Sequence, residues 1–295
     1  MALKKSSSEI LNSQNEKIVL FWFRRDLRLA DNHGLNQALK SGYPVLPLFI
    51  FDEHIIDELK QDDSRLNFIY DSLATIHAEL KSHSSGLLCI KGKPHEIWNR
   101  LTEEYDIHAA YTNEDYEPYA IQRDKNVTDL LQLKNISFHS FKDQVIFEKS
   151  EVTKEDGKPY TVFTPYSRRW KAAWEANTPK LLPSEKGLEY FMDSKPLPIP
   201  SLKTMGFEQT DLVVPAKKWK ESTVKNYTEQ RNFPAKEGGT SHLGIHLRFG
   251  TISIRQVISE IKASDDVFLN ELIWRDFFMQ ILFHFSQVIK KNFKS

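Results

Sequence analysis

The chain predicts an α/β domain built on a parallel sheet, followed by the start of an all-α domain. Three observations carry this. From Lys17 to about residue 140, short apolar runs alternate with longer amphipathic ones, as in successive βαβ units. Residues 141–210 are rich in turn formers and carry most of the prolines, as a connection between domains would. From about Asp211 the spacing is helical to the end.

Within the first region, "KIVLFWF" is expected to be a buried strand, "ADNHGLNQALKSG" a helix closed by Gly42, and "VLPLFIF" a second strand. Leu66, Ile69, Leu73, Ile76 and Leu80 recur at helical spacing, and "LLCIKG" is again strand-like. "HEIWNRLTEEYD" and "AIQRDKNVTDLLQLKN" predict further helices flanking the strand "IHAAYTNE". The first sixteen residues predict a loose tail. They lack the apolar core of a secretion signal, and Glu9 and Glu16 argue against a transit peptide. In the last region "SIRQVISEIKAS" and "LNELIWRDFFMQILFHF" are the clearest helices.

Composition narrows the class. At 40% hydrophobic and 27% charged, the chain is expected to be a soluble globular protein. Forty basic and forty acidic residues balance, so any affinity for nucleic acid must come from a local surface. The single cysteine, Cys89, excludes an internal disulfide and a cysteine-built zinc site; it is expected to be a small buried hydrophobe in a reducing compartment. No apolar run approaches the roughly 18 residues that cross a bilayer. A cytoplasmic protein with neither membrane contact nor a metal is the expectation.

Neither G-x-G-x-x-G nor G-x-x-x-x-G-K-[ST] follows a strand, so neither a dinucleotide nor a P-loop reading of the α/β domain is supported. After the first strand comes "FRRDLRLADN", whose Arg24, Arg25, Asp26 and Arg28 by themselves suggest a charged rim. In "EGGTSHLG" two glycines permit a tight turn, and Thr240 and Ser241 could face an anionic group or simply cap a helix. Between Lys217 and Arg255 eight basic residues stand against three glutamates, which suits a phosphate-binding surface or an ordinary solvated face. Glu271, Trp274 and Arg275 stand at i, i+3 and i+4, on one face of one helix. An indole, a carboxyl and a guanidinium suit a base displaced from a duplex: a stacking platform, a partner for the base edge, and a grip on a flanking phosphate. An amphipathic core helix with a surface ion pair would carry the same spacing.

The stretch "VLFWFRRDLRLADNHGL" resembles the opening of DNA photolyases and cryptochromes. It is joined in order by "PYTVFTPYSRRWKA", "YTEQRNFPAKEGGTSHLGIHLRFGTIS" and "LNELIWRDFF", so that the resemblance runs from about Lys17 to Phe285. It implies a Rossmann-like α/β antenna domain over 17–140, a connection over 141–210, and over 211–295 the first part of a helical FAD- and DNA-binding domain. It implies a flavoprotein that repairs cyclobutane pyrimidine dimers in DNA under blue light, by electron transfer from reduced FAD. Thr240, Ser241, His242, Leu243 and Gly244 would then hold the FAD phosphates, with Tyr227 and Phe268 on the same cofactor. His242 stands where some members have Arg, and Gly244 where Ser is usual. Glu271 and Trp274 would be catalytic, against the dimer, with Arg231 and Arg275 on the DNA; Glu271 would act as a hydrogen-bond donor in a nearly dry pocket. A second, antenna chromophore is usual in the family. Its identity is open, and the folate type is disfavoured because Tyr119 and Ala120 stand where that type has an Asn-Glu pair.

Family members continue well beyond the position matching Ser295. The resemblance therefore implies a chain carrying part of the flavin cradle, with an apolar C-terminal helix that self-association or a partner would cover. The alternatives are a cryptochrome-type blue-light receptor and a truncated, non-catalytic family member.

Overall fold

The computed structural model of the protein describes residues 16–193, 198–261 and 266–293. Apart from Glu16, the expected tail lies outside the described residues. The chain divides into two compact units. The first takes the described residues up to Asn113, then Arg123–Phe141 and Leu182–Val214; the second takes Glu114–Gln122, Lys142–Leu181 and the described residues from Pro215.

The first unit is built on five parallel strands, β1 (Ile18–Phe23), β2 (Val45–Asp52), β3 (Leu88–Gly92), β4 (Ile107–Asn113) and β5 (Ser137–Phe141), in the order β3-β2-β1-β4-β5. All six residues of β1 and all eight of β2 are buried. That is why these strands read as unbroken apolar runs rather than alternating ones: a parallel sheet is covered on both faces. The connections carry α1 (His33–Leu39), α2 (Glu53–Ile56), α3 (Ser64–Lys81), α4 (Pro94–Glu104) and α5 (Pro118–Leu133). The boundary between the units falls inside α5, between Gln122 and Arg123. Asn32 caps α1 by accepting the Leu35 amide at 3.1 Å. Gly42, expected to close that helix, lies three residues beyond its end at φ 83°. Trp22 meets Trp98 edge-on at 5.7 Å in the apolar layer between sheet and helices.

The order of strands reverses at β1, and a crevice opens at the carboxyl ends of strands at such a point. Here a network of the protein's own side chains lies at these strand ends. Asn113 Nδ2 donates to Asp26 Oδ2 at 2.6 Å and to Asn32 Oδ1 at 2.8 Å, while its Oδ1 accepts from the Gly34 amide at 2.8 Å. The Arg24 guanidinium donates to Asp124 and to the Asn113 carbonyl. Arg24, Asp26 and Arg28 are 9%, 1% and 8% exposed, so the charged-rim reading of "FRRDLR" is corrected: these charges are buried because each meets a partner.

Residues 141–210 are not a free connection. They divide at Leu181/Leu182 between the two units and carry α6 (Phe163–Ala176) and α7 (Leu202–Met205). In the second unit, α6 packs on α12 (Asp266–His284), with α8 (Glu221–Lys225), α9 (Tyr227–Gln230), α10 (Gly244–Phe249) and α11 (Ile254–Glu260) around them. Tyr166, Trp170, Val257, Leu272, Ile273 and Phe277 lie in its core.

Candidate functional site

α12 is rich in large apolar residues, which suits a central helix packed by its neighbours. Phe268, Leu272, Ile273, Asp276, Phe277, Gln280 and Ile281 form its buried side. Among the described large apolar side chains of α12, Phe278 is the exposed one, at 60%, so most of the apolar face expected to be open is covered within this unit.

Asp276 is a buried carboxylate on that side. Its Oδ2 accepts from Trp170 Nε1 at 3.0 Å, from the Ile146 amide at 3.1 Å and from the Phe147 amide at 3.3 Å, while Oδ1 has no partner. Burial outweighs these donors and pushes its pKa up to about 6. The bond to Trp170 ties α6 to α12. Gln280 adds a second tie, donating to the Tyr160 carbonyl at 2.7 Å.

On the half-exposed side, Glu271 pairs with Arg231 at 2.6 Å, their side chains 31% and 38% exposed. The Arg231 guanidinium lies 5.7 Å from the centre of the Tyr227 ring, and Tyr227 meets Phe268 edge-on at 5.0 Å. Four sequence-identified residues therefore form one connected group at the first half of α12. Its surroundings are half-exposed, and Glu271 is ion-paired with Arg231.

Trp274 follows one helical turn from Glu271 and lies flat on Phe163, with ring centroids 3.6 Å apart and planes 4° apart. Arg275 points elsewhere. It donates to the carbonyls of Gln144 and, at 3.2 Å, of Leu247. These bonds tie α10 and the segment before α6 to α12.

The turn before α10 places Thr240 and Ser241 half-buried, with the Thr240 hydroxyl 3.0 Å from His242 Nε2 and His242 at φ 53°. Gly239 packs so closely that a Cβ would sit 2.6 Å from the Phe233 carbonyl oxygen, whereas a Cβ on Gly244 would meet nothing within 4 Å. Leu243 is buried in the same core cluster as Phe268 and Leu272. Both hydroxyls have partners within the turn, Thr240 with His242 and Ser241 Oγ accepting from the Leu243 amide at 3.4 Å, and the space beside Gly244 is open.

The basic run is largely spent on pairs. Arg255 is buried and bonds Asp143 at 2.8 Å; Arg248 pairs with Glu117, Lys220 with Glu237 and Lys225 with Glu221. Lys217, Lys218 and Lys236 are exposed and have no ion pair among the described residues. Of the eight, Arg255 is buried and the other seven remain exposed.

Sequence reasoning missed Asp276, Phe163 and Trp170. The signal for Asp276 was present: it sits three residues from Ile273 and four from Gln280, within the buried stripe, where a carboxylate requires partners. Cys89 meets its expectation as a buried small hydrophobe, and burial pushes its thiol pKa up. Among the described residues no cluster of metal-binding side chains is found, and no helix is long and apolar enough to cross a membrane.

The family model described as DNA photolyase matches residues 19–184, more than half of the chain. A deoxyribodipyrimidine photo-lyase of Synechococcus sp. is 30% identical over 94% of this chain and 63% of its own length. A second Synechococcus relative, an uncharacterized 31.6 kDa protein in the atpI 5' region, is 31% identical over 88% of this chain and 98% of its own length. The crystal structure of an archaeal photolyase from Sulfolobus tokodaii with two FAD molecules is similar at TM-score 0.72 and 25% identity, over 92% of this chain and 61% of that one. The chain therefore spans less than two thirds of the photolyases it matches. The parallel α/β unit, the helical unit that follows, and the family model covering most of the first and the start of the second make this chain a member of the DNA photolyase family.

Proposed function

We propose that this chain takes part in the light-driven repair of cyclobutane pyrimidine dimers in DNA, with FAD as cofactor. The observation that supports it most is the connected group Phe268, Tyr227, Arg231, Glu271, with Trp274 one turn further along α12. It joins an aromatic surface for a flavin, Tyr227 of α9 with Phe268 of α12, to a carboxylate and an indole of α12 for a flipped base.

FAD, when bound, would supply the electron that opens the dimer's ring. The remaining work belongs to the protein. Thr240, Ser241, His242, Leu243 and Gly244 would hold the diphosphate, and Tyr227 and Phe268 would wall the cofactor. Trp274 would stack on the displaced base, and Glu271 would bond its edge. Arg231 cannot hold Glu271 and a DNA phosphate equally well, so the pair seen here loosens as DNA arrives. The α/β unit would carry any antenna chromophore.

The test is repair itself. The chain, supplied with FAD and a reductant, is mixed with a thymine-dimer oligonucleotide, and restored thymine absorbance is followed under blue light and in the dark. Repair in the light alone, lowered at least about tenfold by Glu271→Ala, is expected. A chain that retains flavin but repairs nothing would overturn the reading and favour the receptor role instead.

A further inference from the structure

We propose that Phe163 is a positioning residue for Trp274: it lies against one face of the indole and fixes the plane on which a base stacks. The inference rests on the base-stacking role of Trp274 given above, and it assigns a purpose to the motif "PYTVFTPYSRRWKA", whose contribution the site otherwise leaves unexplained.

The geometry is specific. The rings of Phe163 and Trp274 are 3.6 Å apart and 4° from parallel, almost face to face. Aromatic pairs left to themselves prefer offset or edge-on arrangements, because face-to-face stacking opposes like quadrupoles. The contact must therefore be imposed by the helices that carry it. Two ties do so. Trp170, seven residues along α6 from Phe163 and so on the same face, donates to Asp276 at 3.0 Å. Just before α6, the Tyr160 carbonyl accepts from Gln280 at 2.7 Å. These bonds fix the register of α6 against α12, and Phe163, the first residue of α6, is delivered under the indole.

Phe277 completes the mount. It is buried and stands edge-on to both rings, 5.9 Å from Phe163 at 80° and 5.5 Å from Trp274 at 81°. It blocks rotation of the stacked pair about the indole plane. Trp274 is thereby held against Phe163, while the exposed Phe278 stacks beside it at 5.3 Å and 24°; a base stacking on the indole displaces Phe278 but meets an indole that no longer has to be ordered on binding. Preorganising the platform in this way removes an entropic cost that would otherwise weaken association.

The test uses two variants and two readouts. The six tryptophans are labelled with 5-fluorotryptophan, and the Trp274 resonance is identified by its loss in Trp274→Phe. Phe163→Leu is expected to shift and broaden that resonance, because the ring current and the flat support are both lost; Phe163→Tyr is expected to leave it sharp. In the dark, Phe163→Leu is expected to lower the ratio of affinities for thymine-dimer over undamaged oligonucleotide by about tenfold, without changing affinity for the undamaged one, and Phe163→Tyr to restore it. An unmoved resonance in Phe163→Leu would overturn the contact. An unchanged ratio in Phe163→Leu, where the unaltered chain does discriminate, would overturn the positioning role alone. An unaltered chain that shows no preference for the dimer would overturn the base-stacking reading on which the inference stands.

Discussion

Asp276 is the residue on which α6, α12 and the Ile146–Phe147 backbone converge, and its chemistry makes a pH-dependent prediction. Burial raises its carboxyl from 3.8 in the unfolded chain to about 6 in the folded one. Between these values the folded state holds a proton that the unfolded state has released, so stability falls as pH rises from about 4 to about 6 and is level above that. The full effect is on the order of 3 kcal/mol. Asp276→Asn removes the titration: its amide oxygen can take the three donors, and its NH2 group falls where Oδ1 already lacks a partner. Denaturant titrations at several pH values should show the wild type losing stability relative to Asp276→Asn across that window. Asp276→Ala should cost about 3 kcal/mol or more, since it strands the Trp170 indole N–H and two backbone amides. A variant difference independent of pH would contradict the account of the carboxylate. By contrast, the half-exposed Arg231–Glu271 pair contributes little to stability, roughly 1 kcal/mol or less, so its meaning lies in what replaces it. At this scale the sequence showed which residues share a face of α12 but not which way they turn. Arg275 has the spacing of a surface residue, yet two backbone carbonyls on other segments capture it, and nothing local encodes their position.

Elements with strong periodicity or a long apolar run were legible. β1, β2, α3 and α12 stand where pattern alone places them. α6 was not, because its Pro165, Thr164 and Ser167 resemble a turn, and its helical signal is three large aromatics, Tyr166, Trp170 and Trp174, at spacing of four. Trp170 and Trp174 in fact stack at 5.6 Å. β5 escaped notice for a different reason: as an edge strand with exposed Ser137, Ser140 and His139, it has no buried face strong enough to show in the pattern. The turn before α10 yields a prediction of its own. The space around Gly244 is open and its backbone needs no glycine, so Gly244→Ser should leave the melting temperature unchanged or slightly raised. If this turn holds the diphosphate, the added hydroxyl should tighten retention of FAD, read from the flavin absorbance that survives gel filtration. Weaker retention at unchanged stability would place the diphosphate elsewhere. Gly239→Ala, whose Cβ would meet the Phe233 carbonyl at 2.6 Å, should instead destabilise the turn and lower the melting temperature.

At the scale of the molecule, the two-part architecture was visible as a change of periodicity, but the division of the chain was not. Residues 142–181 join the helical unit and 182–214 the α/β unit, although both stretches read as connection. Long-range bonds decide this: the Met192 amide reaches the Val45 carbonyl at 2.8 Å in one unit, and Trp170 reaches Asp276 in the other. Such partners lie far apart in sequence and leave no local mark. The family, by contrast, was legible, because its motifs lie at the buried network behind β1 and along the face of α12. The central claim is that this face recognises a pyrimidine dimer. The measurement that tests it most directly is binding in the dark, by fluorescence anisotropy, of matched oligonucleotides with and without one thymine dimer. The account predicts at least about tenfold tighter binding of the damaged strand, lost in Trp274→Ala while binding of the undamaged strand is unchanged. Equal affinity for the two oligonucleotides in the unaltered chain would contradict it.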